Sequence, residues 1–310
     1  MTDTQWRAPV VPPLDPHTVA GRRRAGEPAR RRLLRSARRL FDSASADVHE
    51  LAALIAAVQQ PVATGRRIAV TGVRGGAGKT TLAALLGRTF SRRRADRVLA
   101  IDADPEIGSL SWRLGAPTGH SVTVLARRLE AGTVHGMADL EPLLGVAGHG
   151  LWSIPAPAHP GAAAGTVTAA REVGRTLSRY FGVTVVDCGH GLTVPTPVLI
   201  EAHTIVVAAP ATIDGVRSTR AALDRLHLGP GVIDLNRVVV VLSSLNDRSE
   251  GVDLKRATRA LSVLDVPVAH IGFDRHLAGG GVLDVRKLAE PTVVSATRVA
   301  ALALRRATPL

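Results

Sequence analysis

The sequence of 310 residues predicts an α/β fold with a doubly wound, mostly parallel sheet, preceded by a disordered basic tail and a short helical segment. Three observations predict this fold. From residue 66 onward, short apolar runs alternate with helical patterns. Runs such as Val238–Ser243 lack the alternation of half-exposed strands, as is expected of parallel strands covered on both faces. A glycine-rich turn at residues 72–81 joins the first of these strands to a helix.

The composition excludes several other classes of protein. An apolar fraction of 45% is ordinary for a globular chain and excludes wholesale disorder. The single cysteine, Cys188, excludes an intramolecular disulfide framework and a cysteine-ligated zinc site. No stretch approaches the roughly 18 uncharged apolar residues of a membrane span, and the amino-terminal region lacks the apolar core of a signal peptide. We therefore expect a reduced, cytoplasmic protein with a net charge of +13.

The amino-terminal part divides into two predicted segments. Residues 1–29 contain five prolines and no sustained periodicity, which is typical of a disordered Pro/Arg-rich tail. Residues 30–62 predict a basic amphipathic helix, followed by a second helix that Ser45 caps and Pro61 ends. Residues 21–41 hold nine arginines and one acid, the sharpest concentration of positive charge in the sequence.

The rest of the chain, residues 63–310, is predicted to form one α/β domain without internal repeats. The predicted strands are Ile68–Thr71, Val98–Asp102, Leu151–Ile154, Val183–Asp187, Ile205–Ala209, Val238–Ser243 and Val268–Ile271. The predicted helices are Thr80–Ser91, Ala163–Phe181, Ile213–Leu226, Leu254–Val263 and Thr292–Arg305. The weakly patterned stretch 115–150 is interpreted as surface insertions with a short helix.

The glycine-rich turn carries the first chemical motif. Residues 72–81 read Gly-Val-Arg-Gly-Gly-Ala-Gly-Lys-Thr-Thr, a phosphate-binding loop in which Val73 replaces the usual glycine. Glycines let backbone N–H groups converge on phosphate oxygens, and the following helix adds its positive dipole end. Lys79 should reach the β- and γ-phosphates, and Thr80 should offer its hydroxyl to Mg²⁺. The residues predicted to bind the nucleotide here are Gly75, Gly76, Ala77, Gly78, Lys79, Thr80 and Thr81.

Two predicted strands end in aspartates. The strand Val98–Asp102 leads into Asp104, and the strand Val183–Asp187 leads into Cys-Gly-His-Gly. Doubly wound folds bind ligands at the carboxyl ends of their strands, and a strand that ends in Asp is typical of a carboxylate that holds Mg²⁺ through water. Because both motifs follow the phosphate-binding loop in order, the three together predict a site for a nucleotide with Mg²⁺.

These motifs resemble those of the MinD/ParA-like P-loop ATPases with a deviant Walker A motif. Arg74–Thr81 resembles the Lys-Gly-Gly-x-Gly-Lys-Thr loop of that family, Asp102–Pro105 its second acidic motif, and Asp187–Gly191 its Walker B and switch II motifs. The likeness covers residues 63–310. The arginine-rich helix, the motif spacing and the sequence Phe273–Leu277 resemble one branch more closely, the actinobacterial EspI-like ATPases found with type VII (ESX) secretion systems.

The resemblance implies an enzyme that hydrolyses ATP with Mg²⁺ and forms a homodimer around two ATP molecules. It implies that Lys79 binds phosphate and that Thr80 and Asp187 hold Mg²⁺, the carboxylate through water. Asp102 and Asp104 are implied to orient the attacking water and the metal shell.

Three further positions are implied less directly. Gly191 would sense the γ-phosphate as switch II closes. Arg74 stands where the family has a lysine that crosses the dimer interface to the partner's phosphates, and its guanidinium keeps the charge, so we expect nucleotide-dependent dimerisation to survive. Asn246 is a candidate adenine contact, although the strand before it lacks the plain Asn-Arg signature of the family.

The leading hypothesis is a dimerising ATPase switch that positions or regulates a type VII secretion or cell-envelope machine, in the cytoplasm or at the inner face of the membrane. One alternative is a ParA-like ATPase that partitions chromosomes or plasmids through non-specific DNA binding. Another is a nucleotide-bound scaffold without hydrolysis. Residues 22–41 suit a membrane surface, an acidic protein partner, DNA, or packing on the domain with the arginines in solvent.

Overall fold

The protein is described here by a computed structural model. It covers residues 44–105, 108–116, 118–157, 165–190, 196–228, 233–246, 252–262 and 265–308. The predicted tail (1–29), the predicted basic helix within residues 30–43, and Gly191 lie outside the described residues.

Eight strands form one sheet, and seven of them were predicted. They are β1 (Arg66–Gly72), β2 (Val98–Asp102), β3 (Gly145–Gly148), β4 (Leu151–Ile154), β5 (Val183–His190), β6 (Thr204–Pro210), β7 (Val238–Ser243) and β8 (Val268–Ile271). The sheet order is β3-β4-β2-β5-β1-β6-β7-β8, and only β3 runs antiparallel to its neighbour. The predicted doubly wound, mostly parallel sheet is confirmed, with β5 and β1 at its centre.

Helices cover both faces of this sheet. Those in the described residues are α1 (Ala44–Gln59), α2 (Lys79–Arg93), α3 (Leu110–Arg113), α4 (Val122–Glu130), α5 (Met137–Leu140), α6 (Thr166–Leu177), α7 (Pro197–Glu201), α8 (Ile213–Leu228), α9 (Leu254–Leu261), α10 (Arg275–Ala278) and α11 (Glu290–Ala307). None of these helices is both long and apolar enough to cross a membrane.

The core consists of two layers, one on each side of the sheet. Alternate residues of one strand enter different layers, so that Ile68 and Val70 pack with α2 and α11 while Ala69 packs with α6. The central strands are buried on both faces along most of their length, which explains why their sequences lack the alternation of apolar and polar residues.

The helix α1 is anchored to the domain. It packs against α11 and α2, and an ion pair joins Glu50 to Arg298 of α11. At its carboxyl end, the guanidinium of Arg94 donates to the carbonyls of Val58 and Gln60, at 2.6 and 2.8 Å. Arg94 lies between the end of α2 and the start of β2, at the amino edge of the sheet, where the parallel strands begin. The carboxyl end of α1 therefore lies at this edge too.

The structure differs from the prediction mainly in small elements. Within 115–150, where one short helix was expected, it has α4, α5 and the strand β3. The predicted helix Ala163–Phe181 spans Thr166–Leu177 in the described residues. The last helix begins two residues earlier than predicted, since Pro291 lies in its first turn, where a missing N–H costs no intrahelical hydrogen bond.

Candidate functional site

The turn between β1 and α2 presents backbone N–H groups at the carboxyl edge of the sheet. Gly76 and Gly78 have φ values of +71° and +83°, in the left-handed region that residues with a Cβ rarely adopt. Gly78 is the N-cap of α2, so the first N–H groups of this helix have no side-chain cap. Such a helix start attracts an anion, in agreement with the predicted phosphate site.

The first two residues of α2 reach towards the central strands. A Cβ placed on Gly72 would lie 3.4 Å from Cγ and Cδ of Lys79, so the lysine stem passes beside the end of β1. The hydroxyl of Thr80 and the charge of Lys79 both act on the carboxylate of Asp187 and lower its pKa. The loop therefore places a cation and a hydroxyl near Asp187, which lies three residues before the end of β5.

The two strand-end aspartates lie side by side, as the sequence predicts. Asp102 and Asp187 are partners in the parallel register of β2 and β5, and each is 1% exposed. Asp102 accepts N–H bonds from Leu110 at 2.9 Å and from Asp104 at 3.2 Å. Burial raises the pKa of Asp102 to about 6, although these two hydrogen bonds act in the opposite direction.

Asp187 is the more strongly perturbed of the two acids. Burial, followed by the negative charge of Asp102, raises its pKa to about 8, and the interaction with the Thr80 hydroxyl opposes the shift. Its Oδ2 atom is buried and has no hydrogen-bond partner among the residues that the structure describes. An unpartnered buried carboxylate oxygen is costly, and it fits a site that a bound cation completes.

The donors fit Mg²⁺ bound together with phosphate. Within the described ranges, no group of three or more His, Cys, Asp or Glu side chains is arranged to hold a metal ion. Mg²⁺ is usually held by one or two protein ligands together with phosphate oxygens and water. Thr80 and Asp187 supply such ligands directly beside the uncapped start of α2.

A mostly apolar cleft opens next to the loop, and we interpret it as the place of the base beside the predicted phosphate site. One wall is formed by α2, a second by Ser243–Leu245 at the end of β7, and a third by residues 271–278. Asn246 is exposed and follows the lining residue Leu245, so its contact with adenine stays a prediction. Sequence reasoning did not assign the third wall to the site, although Phe273 follows β8 at the edge where ligands are expected.

Arg74 lies on the exposed side of the loop, where it contacts α8. Its Nε donates to Ser218 Oγ at 2.9 Å, and its Nη2 lies 3.1 Å from both carboxylate oxygens of Asp214. The side chains of Arg74 and Asp214 are 51% and 54% exposed. An ion pair this exposed contributes little to stability, so it can open at low cost.

The end of β5 lies beside the start of the loop. The buried hydroxyl of Thr71 donates to the carbonyl of Gly189 at 3.0 Å. Cys188 is buried and burial raises the pKa of its thiol, so the chemistry of a nucleophile is disfavoured.

The sequence matches the model of one protein family and is similar to one secretion-associated protein. Residues 68–273 match the family described as "CobQ/CobB/MinD/ParA nucleotide binding domain". The sequence is 34% identical, over 220 residues and 69% of this chain, to the ESX-1 secretion-associated protein EspI of Mycobacterium tuberculosis. The matched part spans 32% of that protein, so the likeness concerns about a third of its length.

Solved structures share the fold. A ParA family ATPase from Chlorobium tepidum TLS superposes with a TM-score of 0.62 at 16% identity, over 76% of this chain and 97% of that one. The septum site-determining protein MinD from Pyrococcus horikoshii OT3, solved with Mg-ADP, gives a TM-score of 0.58 at 20% identity, over 77% and 94% of the two chains. At these identities the comparison establishes the architecture and carries no residue roles.

Proposed function

Because the chain belongs to the CobQ/CobB/MinD/ParA nucleotide-binding domain family, we propose that it is a Mg²⁺-dependent ATPase. In this proposal, ATP binding drives dimerisation, and the dimer acts as a switch in a type VII secretion or cell-envelope machine. The supporting observation is the unpartnered, buried Oδ2 of Asp187, in contact with Thr80 and beside the uncapped start of α2. An anion site next to a buried carboxylate oxygen without a hydrogen-bond partner in the described ranges suits the phosphates of ATP with Mg²⁺.

Each side chain of the site has a task in the proposed reaction. Lys79 and the loop N–H groups bind the β- and γ-phosphates and offset their negative charge. Thr80 and Asp187 hold the metal ion, which, when bound, would neutralise charge on the phosphate oxygens. Asp102 and Asp104 orient the attacking water, and the hydrogen bonds to Asp102 keep its carboxylate in place.

Arg74 is the proposed link between two subunits. In the single chain its guanidinium is held by Asp214 and Ser218, on the open side of the loop. When two subunits meet face to face, we expect Arg74 to exchange this contact for a phosphate of the partner's nucleotide. A guanidinium can bind phosphate through two parallel, charge-assisted hydrogen bonds. This contact is expected to be stronger than the ion pair of Arg74 with Asp214, because that pair is exposed to water.

Asp214→Ala and Arg74→Ala are expected to have opposite effects on dimerisation. Removing Asp214 frees the arginine of each subunit and should strengthen ATP-dependent dimerisation by about two- to thirtyfold, because each of the two exposed ion pairs contributes about 0.2–1 kcal/mol. Arg74→Ala should weaken the dimer and slow hydrolysis. Analytical ultracentrifugation with ATP measures the dimerisation of both variants, and phosphate release measures the rate of hydrolysis.

Asp224→Ala is the matched control for Asp214→Ala. Asp224 pairs with Arg220 on the same helix at 2.8 Å, and that pair is similarly exposed, at 42% and 47%. This variant should dimerise like the wild type. If Arg74→Ala also dimerises and hydrolyses ATP like the wild type, the interfacial role of Arg74 is wrong.

The secretion role is supported by the similarity to EspI, whose printed description is secretion-associated. We propose that the chain acts in the cytoplasm, peripherally at the inner face of the membrane, with a protein partner from that machinery. The predicted contact of residues 22–41 with a membrane or DNA is part of the same proposal, and those residues lie outside the structural description.

Measuring the oligomeric state and the release of phosphate tests the proposal directly. The purified full chain is compared without nucleotide, with ADP and with ATP, each with Mg²⁺. We expect a dimer with ATP alone and slow turnover that requires Mg²⁺. Dimerisation with ATP but no turnover, alone or with partners, would favour the non-hydrolysing scaffold, and absence of ATP binding would refute both.

A further inference from the structure

A buried arginine outside the proposed reaction lies between the carboxylates and the cleft. Arg113 is the last residue of α3 and is 7% exposed. The helix starts where Leu110 N–H donates to Asp102 Oδ2, at 2.9 Å. One turn later, Nη2 of Arg113 donates to the carbonyl of Leu277, at 3.2 Å. Since Leu277 lines the cleft, one short helix connects Asp102 to the cleft wall.

Both ends of this connection are held firmly. A Cβ on Gly108 would lie only 2.5 Å from Asp102 Oδ2, which is too close for a side chain. The backbone that enters α3 therefore packs directly against this carboxylate. At the other end, the Arg113 carbonyl accepts the N–H of Leu283, at 2.8 Å. The buried carboxylate of Asp274 accepts the N–H groups of His276 and Ala289, both at 2.8 Å, which fixes the wall itself.

A residue with a purely structural role at this position would not need the positive charge of Arg113. Its Nε atom is buried without a hydrogen-bond partner in the described part of the chain. Burial lowers the pKa of Arg113, and the acid whose charge opposes this shift is Asp187. An apolar side chain of similar volume often replaces a buried charge at no loss of stability. A buried guanidinium that donates to the cleft wall, and whose charge acts on Asp187, therefore favours a role in the site.

We propose that Arg113 is a positioning residue that makes binding of the base and binding of Mg²⁺ cooperative. A base in the cleft fixes Leu277, Arg113 transmits this restraint to α3, and the Leu110 N–H at the start of α3 orients the Asp102 carboxylate next to Asp187. The ligand class is a nucleoside di- or triphosphate with Mg²⁺, so the inference rests on the proposed function. Coupling between two sites is a free energy, and it can be measured without turnover.

The test is a thermodynamic cycle of four affinities, measured by calorimetry on the full chain. ADP and inorganic pyrophosphate are each titrated with Mg²⁺ and with EDTA. For each condition, we take the ratio of the affinity for ADP to the affinity for pyrophosphate. The coupling factor is this ratio measured with Mg²⁺, divided by the ratio measured with EDTA. We expect a factor of at least about fivefold in the wild type and a factor close to one in Arg113→Met. A purely structural role would change all four affinities alike and leave the factor unchanged.

Two further variants make the result decisive. Arg94→Met is the control, because the Arg94 guanidinium is also buried and donates to backbone carbonyls, of Val58 at 2.6 Å and Gln60 at 2.8 Å, at the amino edge of the sheet, away from α3 and the cleft wall. It should keep the wild-type factor. Arg113→Lys keeps the charge but not the planar fork, and it should lower the factor even if the methionine variant does not fold.

The outcomes separate this inference from the proposed function. Failure of the wild type to bind Mg²⁺ with ADP would overturn the proposed function. If the wild type binds but shows a factor of one, or if the factor is unchanged in whichever Arg113 variant folds, only the role of Arg113 is overturned.

Discussion

Lys79→Ala is expected to weaken ATP and ADP binding by about 100-fold and to abolish turnover. A charge-assisted hydrogen bond contributes about 1.5–3 kcal/mol, which corresponds to roughly 10- to 150-fold in affinity per contact. The lysine stem passes beside Gly72 at the end of β1, so the ammonium group reaches the space in front of the loop. The fold should persist, because alanine is favourable in the first turn of a helix. Calorimetry with ADP and Mg²⁺ measures the loss.

Lys255→Ala is the control for charge alone. Lys255 is one of only three lysines in the sequence, and it is exposed in the first turn of α9. This variant should bind nucleotide like the wild type. Near-normal affinity of Lys79→Ala would show that the loop does not bind phosphate in the proposed way.

Asp187→Asn is expected to remove most of the Mg²⁺ dependence of nucleotide binding. The carboxylate must be ionised to hold the metal, and its pKa in the metal-free protein is about 8. Below that pH, metal binding has to displace a proton, so the affinity for ADP with Mg²⁺ should fall by about tenfold per pH unit towards pH 6. In Asp187→Asn this dependence of the affinity on pH should disappear, except for the part that comes from protonation of the phosphate groups of ADP.

The same variant should be more stable than the wild type without metal. The pKa of Asp187 in the folded protein exceeds its ordinary value of 3.8, so the folded state binds the proton more tightly than the unfolded chain does. The metal-free wild type therefore loses stability as the pH rises from about 4 to about 8. Asparagine removes this loss, and urea unfolding in EDTA at pH 8 measures the gain.

These two effects together distinguish a metal ligand from a structural residue. A variant that is stabilised without metal, and that no longer responds to Mg²⁺, fits the proposed role. If Asp187→Asn is instead destabilised at pH 8 and keeps the pH slope of nucleotide binding, Asp187 is not the metal carboxylate.

The sheet was predictable because burial on both faces leaves a clear trace in the sequence. The strands β2, β4, β7 and β8 have the predicted bounds, since each run ends where polar, glycine or proline residues begin. The strand β3 leaves no such trace. It is a four-residue antiparallel edge strand, Gly-Val-Ala-Gly, in which Val146 is 64% exposed. Neither periodicity nor an apolar run distinguishes it from a loop.

The phosphate and metal side of the candidate site was predictable for a different reason. The loop residues are contiguous in sequence, and the aspartates lie on β2 and β5, which pair with each other, while β5 also pairs with β1, so parallel pairing brings them together. The contact of Arg74 with Asp214 could not be predicted, because it joins positions 140 residues apart through two exposed side chains. The bond between Arg113 and Leu277 likewise depends on how a short helix meets a distant segment, which no local pattern records.

The packing of α1 determines where the preceding part of the chain leaves the domain. The end of α11 lies at the amino edge of the sheet, since Arg306 donates to the carbonyls of Asn236 and Asp265, just before β7 and β8. The helix α1 runs alongside α11, ends at the same edge, and is 16 residues or about 24 Å long. Its first residue, Ala44, therefore lies towards the opposite rim, level with the nucleotide site. Residues 1–43 therefore join the domain on the side where, in the proposed dimer, the two subunits would meet.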